Sequence, residues 1–84
     1  MIKLDRPVIV EGKYDKITLD NVIDALIIPT DGFGIFKNPE KTALIRAAAR
    51  GKGVIVMTDS DSAGAVIRAY LKKILGDAEI INVY

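Results

Sequence analysis

Residues 53–64 read Gly-Val-Ile-Val-Met-Thr-Asp-Ser-Asp-Ser-Ala-Gly and carry the clearest structural pattern in the chain. The apolar, mostly β-branched run at 54–57 predicts a strand that is buried on both faces. The segment then turns acidic, with Asp59 and Asp61 on either side of Ser60, and a helical pattern begins after Gly64. Because residues two apart in an extended segment project to the same side, both carboxylates are predicted to share one pocket at the carboxyl end of the strand.

Two carboxylates placed this close repel each other unless a proton or a cation lies between them. Mg²⁺ suits such a pair, and Mn²⁺ is a second candidate, because hard cations prefer oxygen ligands. The alternative is that Asp61 or Ser62 caps the following helix, since both residue types accept hydrogen bonds from amides of a first helical turn. The Asp-Ser-Asp pattern taken alone does not decide between a metal site and a cap.

The composition limits the chemistry that this chain can perform. It has 84 residues, 50% of them hydrophobic, which predicts a single compact domain over residues 1–84. It contains no Cys and no His, so thiolate and imidazole chemistry are excluded. The formal net charge of +1 is not the basic surplus of a strongly electrostatic nucleic-acid binder. Neither a membrane-spanning run nor a signal-peptide layout is visible, so we expect a cytoplasmic protein without a membrane partner.

The rest of the chain predicts strands and helices in alternation. Strands are predicted at residues 7–10, 25–29, 54–58 and 79–84. Between them the apolar spacing predicts a first helix from Tyr14 onward, whose buried face includes Leu19, Val22, Ile23 and Leu26. A loop is predicted at residues 30–34, a second helix from an Asn38 cap to near Gly51, and a third helix up to Gly76. This order is typical of a three-layer α/β/α fold with a parallel sheet covered on both faces.

Acidic residues follow three of the predicted strands. Glu11 follows the first strand, Asp31 the second, and Asp59 with Asp61 the third. Ligands of such sheets bind beyond the carboxyl ends of the strands. If the first and third strands are neighbours, Glu11 faces the same crevice as the Asp pair and is a candidate for proton transfer. For Asp31, which precedes Gly32, a turn role is favoured over a supporting role behind the site.

Two of these segments resemble the Toprim domain, a module of topoisomerases, bacterial primases, OLD-type nucleases, RecR-type recombination proteins and the ribonuclease that matures 5S ribosomal RNA. They are Val-Glu-Gly-Lys at 10–13 and Thr-Asp-Ser-Asp-Ser-Ala-Gly at 58–64. The likeness is strongest to the ribonucleases. Residues 11–15 are similar to their glutamate loop, Gly32 to the glycine after their second strand, and Ile67 with Arg68 to part of the helix that follows their acidic strand.

The resemblance implies a specific fold and activity. It implies a four-stranded parallel sheet of order 2-1-3-4, with Glu11 as general acid or base and with Asp59 and Asp61 holding Mg²⁺ together with Glu11. The implied function is Mg²⁺-dependent cleavage of phosphodiester bonds in nucleic acid, with RNA favoured over DNA and rRNA maturation as the model. Independently of the resemblance, the near-neutral net charge leads us to expect a protein partner that supplies part of the substrate binding.

Four residues near these motifs are candidates for contacts with phosphate: Gly12, Lys13, Gly64 and Arg68. A glycine backbone allows close approach of a ligand, and a helix start offers amide donors. For each cation, including Lys16 and Lys37, ordinary solubilising charge is the competing interpretation. Phe33 and Phe36 present a similar choice between stacking on unpaired bases and anchoring their loop in the core.

Three other interpretations compete with the nuclease. The ribonucleases of the family carry a further carboxyl-terminal domain that is not in this sequence, which favours a non-catalytic module that binds nucleic acid or a partner. A fragment related to topoisomerases or primases is another alternative, although nothing marks a Tyr as catalytic. A phosphoacceptor receiver domain is disfavoured, because its acidic pair follows the first strand and not the third.

Overall fold

The computed structural model describes residues 1–59 and 62–83; Ser60, Asp61 and Tyr84 lie outside the described part. The strands are β1 (Ile2–Lys3), β2 (Val8–Val10), β3 (Ile23–Asp24), β4 (Ile27–Pro29), β5 (Val54–Met57) and β6 (Ile80–Val83). The helices are α1 (Lys13–Asp20), α2 (Pro39–Ala48) and α3 (Ser62–Leu75), and a 3₁₀ helix covers Gly32–Lys37. None of the helices in this part of the chain is long and apolar enough to cross a bilayer.

Four strands form a parallel sheet in the order β4-β2-β5-β6. In chain order of the four predicted strands this is 2-1-3-4, so the expected α/β class and strand order are confirmed. Strand β2 lies inside the sheet, where Ile9 is paired with Ile28 on one side and Val56 on the other. The carboxyl ends of β4, β2 and β5 therefore meet at one edge, and the segments after them are brought together.

Helices cover both faces of this sheet, and the side chains of β2 alternate between the two cores. Ile9 belongs to the larger core, which contains residues of α2, α3 and the 3₁₀ helix. Val8 and Val10 belong to the smaller core on the α1 side. This alternation is the two-residue period of a strand. Because α1 has no buried residue, the α1 side of the sheet is the more thinly covered.

The prediction for the first helix was wrong in its second half. Helix α1 ends at Asp20, and β3 (Ile23–Asp24) pairs in parallel with β1 as a separate two-stranded sheet. The amide of Ile2 donates to the carbonyl of Val22 (3.0 Å), which fixes this segment as extended backbone. The helical spacing of residues 19–26 was overridden by pairing with residues about 20 positions earlier, a contact that local periodicity does not encode.

The loop predicted at residues 30–34 proved to be a turn followed by a 3₁₀ helix. Asp31 and Gly32 both have positive φ (60° and 61°), which turns the chain sharply after β4. The 3₁₀ helix begins at Gly32, and its Ile35 is fully buried in the larger core. The predicted start of the second helix is confirmed, since Asn38 Oδ1 accepts a hydrogen bond of 2.9 Å from the amide of Lys41.

Candidate active site

Glu11 lies at the centre of the carboxyl edge of the sheet, directly after β2. Its carbonyl accepts hydrogen bonds from Thr30 Oγ1 (3.0 Å) and from the amide of Gly32 (2.9 Å), which tie it to the end of β4. Its side-chain Oε1 accepts a hydrogen bond of 2.8 Å from the amide of Asp59, which ties it to the end of β5. The half-buried residue is thus positioned by contacts to the ends of both neighbouring strands.

Asp59 is an exposed residue, but contacts to its backbone hold it in place. Arg68 Nη1 donates to the Asp59 carbonyl (2.8 Å) and to the hydroxyl of the buried Thr58 (2.6 Å). Gly64 packs against the same carbonyl, since a Cβ on Gly64 would lie only 2.1 Å from Asp59 O. The beginning of α3 therefore approaches the end of β5 more closely than any other residue type allows.

A cleft of about 230 Å³ opens beside these two acids on the α1 side of the sheet. Its walls combine apolar side chains of β2, α1, β5 and β6 with a polar set comprising Glu11, Asp15, Thr18, Thr58 and Asp59. The predicted convergence of Glu11 and Asp59 on one crevice is thus seen in the structure. Asp61 lies outside the described residues, so its share in the site stays a prediction.

Asp15 is the acidic residue of this cleft to which the sequence analysis assigned no role. Its Oδ2 accepts a hydrogen bond of 3.1 Å from the amide of Gly12, the residue that precedes α1. An acid in the first turn of a helix is usually explained as a capping group. In the sequence, the only indication that Asp15 lies near Glu11 was its position four residues later, at the start of α1.

The other predicted site residues lie at different distances from the cleft. Gly12 and Gly32 lie in the backbone around Glu11, whereas Asp31 forms an ion pair with Lys41 (2.6 Å) and is not among the described residues that line the cleft. Lys13 is exposed, with its ammonium 5.4 Å from the centre of the Tyr14 ring.

The two remaining cations of the sequence analysis lie in different settings. Lys16 forms an ion pair with Asp20 along α1 (2.9 Å), and Lys37 lies at the far end of the 3₁₀ helix. Neither of them lines the cleft beside Glu11.

Comparison with known families places this geometry in context. The sequence profile described as Toprim domain matches residues 6–84, which is nearly the whole chain. The chain belongs to the Toprim domain family. The match includes the segments after β2 and β5, where Glu11 and Asp59 meet.

Individual relatives of this Toprim domain include several proteins named Ribonuclease M5. The one from Borreliella burgdorferi is 36% identical over 77 residues, covering 92% of this chain and 41% of the relative. The one from Fusobacterium nucleatum is 37% identical over 71 residues, which cover 84% of this chain and 38% of the relative. The one from Clostridium botulinum is 42% identical over 64 residues, which cover 76% of this chain and 34% of the relative. The chain spans about two-fifths of the length of these relatives.

The donor atoms of the Toprim site suit a hard cation. Glu11, Asp15 and Asp59 line one cleft and carry carboxylate oxygens, and the chain has no Cys or His to offer sulfur or imidazole nitrogen. Among the described residues no three acidic groups lie close enough together to form a complete metal site. Because Mg²⁺ usually keeps several waters and binds through one or two carboxylates, an incomplete protein shell fits it.

Proposed function

We propose that this Toprim domain cleaves phosphodiester bonds of RNA in a divalent-metal-dependent reaction at the cleft of Glu11 and Asp59. One observation carries the proposal: the Glu11 carboxylate bonds the Asp59 amide, so two acids from different strands face one cleft. The similarity to proteins named Ribonuclease M5 supports RNA as the substrate class. A precursor of 5S ribosomal RNA is the substrate that we propose, and a cytoplasmic location follows from that role.

Glu11 is the residue that we assign to proton transfer. Its Oε1 is occupied by the Asp59 amide, and Oε2 accepts no hydrogen bond from the described part of the chain. Oε2 is therefore the atom that exchanges a proton with the attacked or departing oxygen of the phosphodiester. The fixed backbone of Glu11 limits the motion of this atom, and precise placement is what acid–base catalysis needs.

The carboxylates of Glu11, Asp59 and Asp61 would hold Mg²⁺, with Mn²⁺ acceptable to the same oxygen ligands. When bound, the cation neutralises charge on the phosphate oxygens and orients the substrate. Asp15 lines the same cleft and adds negative charge that favours a cation there. The residues themselves supply the anchoring: Arg68 and Gly64 set the backbone of Asp59, and Gly12 with Asp15 sets the turn after Glu11.

Substrate binding by this chain alone is expected to be weak. The net charge of +1 offers little general attraction for RNA, and the exposed Lys13 is the cation next to the cleft that we assign to a phosphate. Arg68 was assigned the same role, but its guanidinium bonds Thr58 and Asp59. A protein partner or a further domain that adds a basic surface would raise the affinity.

The test is cleavage of end-labelled, structured RNA by the wild-type chain with Mg²⁺, with Mn²⁺, and with EDTA. Glu11→Gln is the critical variant, because it keeps size and an acceptor oxygen but removes proton transfer. We expect a loss of at least about 100-fold, the lower end for general acid–base catalysis. Glu40→Gln, an exposed glutamate in the first turn of α2, is the matched control and should cleave normally. Equal cleavage by wild type and Glu11→Gln would refute the proposal.

A second candidate is a module that binds RNA without cleaving it. It is favoured by the absence of a three-acid cluster among the described residues. If wild type and Glu11→Gln bind RNA equally and neither cleaves it, with or without a partner protein, this second function replaces the first.

A further inference from the structure

The 3₁₀ helix carries two stacked aromatic rings on its outer side. Phe33 and Phe36 have ring centres 5.7 Å apart and planes within 15° of parallel. Residues three apart eclipse each other in a 3₁₀ helix, which places the two rings one above the other. Phe36 in turn meets the edge of Tyr70 on α3, with centres 4.8 Å apart and planes at 82°.

This stack is anchored at one end and open at the other. Tyr70 is half-buried, and its hydroxyl lies 3.3 Å from Thr42 Oγ1 on α2. Phe33, by contrast, is 53% exposed, and Phe36 is 41% exposed. The core position of this helix is taken by Ile35, so the stack is not needed to bury the helix. An ordered ring with an open face is a platform that a planar ligand meets at little conformational cost.

The stack begins beside the candidate active site. The amide of Gly32 donates to the carbonyl of Glu11, and Phe33 is the next residue. The cleft of Glu11 opens on the α1 side of the sheet, whereas the 3₁₀ helix packs on the side of α2 and α3. A strand of nucleic acid that crosses the carboxyl edge of the sheet would therefore contact both.

A groove of about 370 Å³ continues from the stack between the 3₁₀ helix, α2 and α3. Phe36 and Tyr70 form its apolar wall, and the cations Lys37 and Arg46 line it as well. Both cations are exposed, and neither forms an ion pair within residues 1–59 and 62–83. No acidic residue of the described chain lines this groove, so its charge is complementary to phosphate.

We propose that this surface binds an unpaired stretch of RNA, with one base stacked on the open face of Phe33 and the adjoining phosphates on Lys37 and Arg46. The nature of the ligand as RNA rests on the proposed function. Every base offers a π-face, whereas bases within a duplex are already stacked and hidden from an aromatic platform. The unpaired segment would then lie next to the segment that carries Glu11, because the amide of Gly32 donates to the Glu11 carbonyl.

The test measures RNA binding by fluorescence anisotropy in a Glu11→Gln background, in which cleavage does not interfere. The probes are a labelled single-stranded RNA of about ten nucleotides and a duplex of the same sequence, a length that matches typical site sizes. Phe33→Leu removes the π-face but keeps an apolar side chain, and Phe33→Trp restores a ring. Leu44→Ala is the matched control, because Leu44 on α2 is 49% exposed and does not line the groove.

We expect Phe33→Leu to weaken binding of the single strand at least about five-fold, which corresponds to the lower limit for stacking of one base. Phe33→Trp should bind as well as Phe33, and Leu44→Ala should be unchanged. Duplex binding should be the same for all four proteins. Arg46→Ala should reduce the slope of log affinity against log salt by about 0.7, the value for one phosphate contact on a single strand.

Two results would overturn the inference. One is normal single-strand binding by Phe33→Leu, which would mean that this surface binds a protein partner or no ligand, and not RNA. The other is an equal loss on single strand and duplex, which would exclude base stacking. Circular dichroism of each variant shows whether it folds. The proposed function fails separately, if the wild-type chain binds the single strand through Phe33 yet cleaves no RNA in a Glu11-dependent way.

Discussion

The carboxylate of Glu11 accepts a hydrogen bond of 2.8 Å from the backbone amide of Asp59, which lies 48 residues later in the chain. This bond joins the segment after β2 to the segment after β5. It fixes one oxygen of the acid that we assign to proton transfer, and it sets the distance between that acid and the Asp59 backbone. The same bond therefore has a structural consequence and, under the proposed function, a catalytic one, and substitutions separate the two.

Glu11→Ala and Glu11→Gln should differ in stability, although the proposed role of Glu11 predicts that both lose cleavage. Gln keeps an oxygen that accepts from the Asp59 amide, so its free energy of unfolding should stay near that of wild type. Ala removes the acceptor and should cost about 1 kcal/mol, the usual net value of one hydrogen bond. Urea unfolding followed by circular dichroism measures both, with Glu40→Ala as the control. Equal stability of Ala and Gln would mean that the bond contributes nothing to folding.

Arg68→Ala should destabilise the fold, whereas Lys13→Ala should only weaken RNA binding. Arg68 Nη1 holds the Thr58 hydroxyl and the Asp59 carbonyl, and loss of hydrogen bonds to a charged group costs roughly 1.5–3 kcal/mol. Lys13 is exposed, so its removal should leave the midpoint of thermal unfolding unchanged and lower the salt dependence of binding. The opposite pattern, with a stable Arg68→Ala that loses only affinity, would restore Arg68 as a phosphate contact.

Gly64→Ala should destabilise the protein although Gly is a poor helix former. The new Cβ would lie 2.1 Å from Asp59 O and 2.9 Å from Arg68 Nη1, so α3 and the end of β5 must separate. Such overpacking costs roughly 1–3 kcal/mol, which exceeds the gain of about 1 kcal/mol in helix propensity. Gly51→Ala is the control, because nothing lies within 4 Å of a Cβ there. Thermal unfolding compares the two, and an unchanged midpoint for Gly64→Ala would show that the contact relaxes freely.

Acid should weaken the contact between Asp5 and Lys52. The Lys52 ammonium donates a hydrogen bond to the Asp5 carboxylate, and this bond together with the nearby charge lowers the pKa of Asp5 below its ordinary value. A lowered pKa in the folded state stabilises the fold above about pH 4, and the contribution is lost as the pH falls through the lowered pKa. The difference in unfolding midpoint between wild type and Lys52→Gln should therefore be small, because the pair is exposed, and should vanish on acidification. A difference that grows at low pH would contradict this assignment.

The strands and the acids that follow them were predictable because both depend on local sequence. The β-branched runs at residues 8–10 and 54–57 need burial on both faces, and residues after such strands must lie at the sheet edge. The Asn38 cap was predictable for a similar reason, since an Asn before Pro at a helix start satisfies an amide of the first turn.

The errors came from contacts that are distant in sequence. The helical spacing of residues 19–26 gave no sign that residues 2 and 3 would pair with 23 and 24. The 3₁₀ helix at Gly32–Lys37 depends on burying Ile35 among residues of other elements, and Asp31 turned toward Lys41 ten residues later. The hydrogen bonds of Arg68 to Thr58 and Asp59 were likewise not predicted, because they join α3 to the end of β5.

The sequence by itself determined the α/β class, the parallel direction of the strands, and the identity of Glu11 and Asp59 as acids that follow two of those strands. These properties follow from the two-residue period of strands, the period of helices and the chemistry of carboxylates, which act over a few residues. Only the tertiary structure decided how those acids are held, which cations already have partners, and that Phe33 stacks on Phe36 beside the site. The physical reason is that a hydrogen bond such as Asp59 N–H to Glu11 Oε1 needs two segments that only folding brings together.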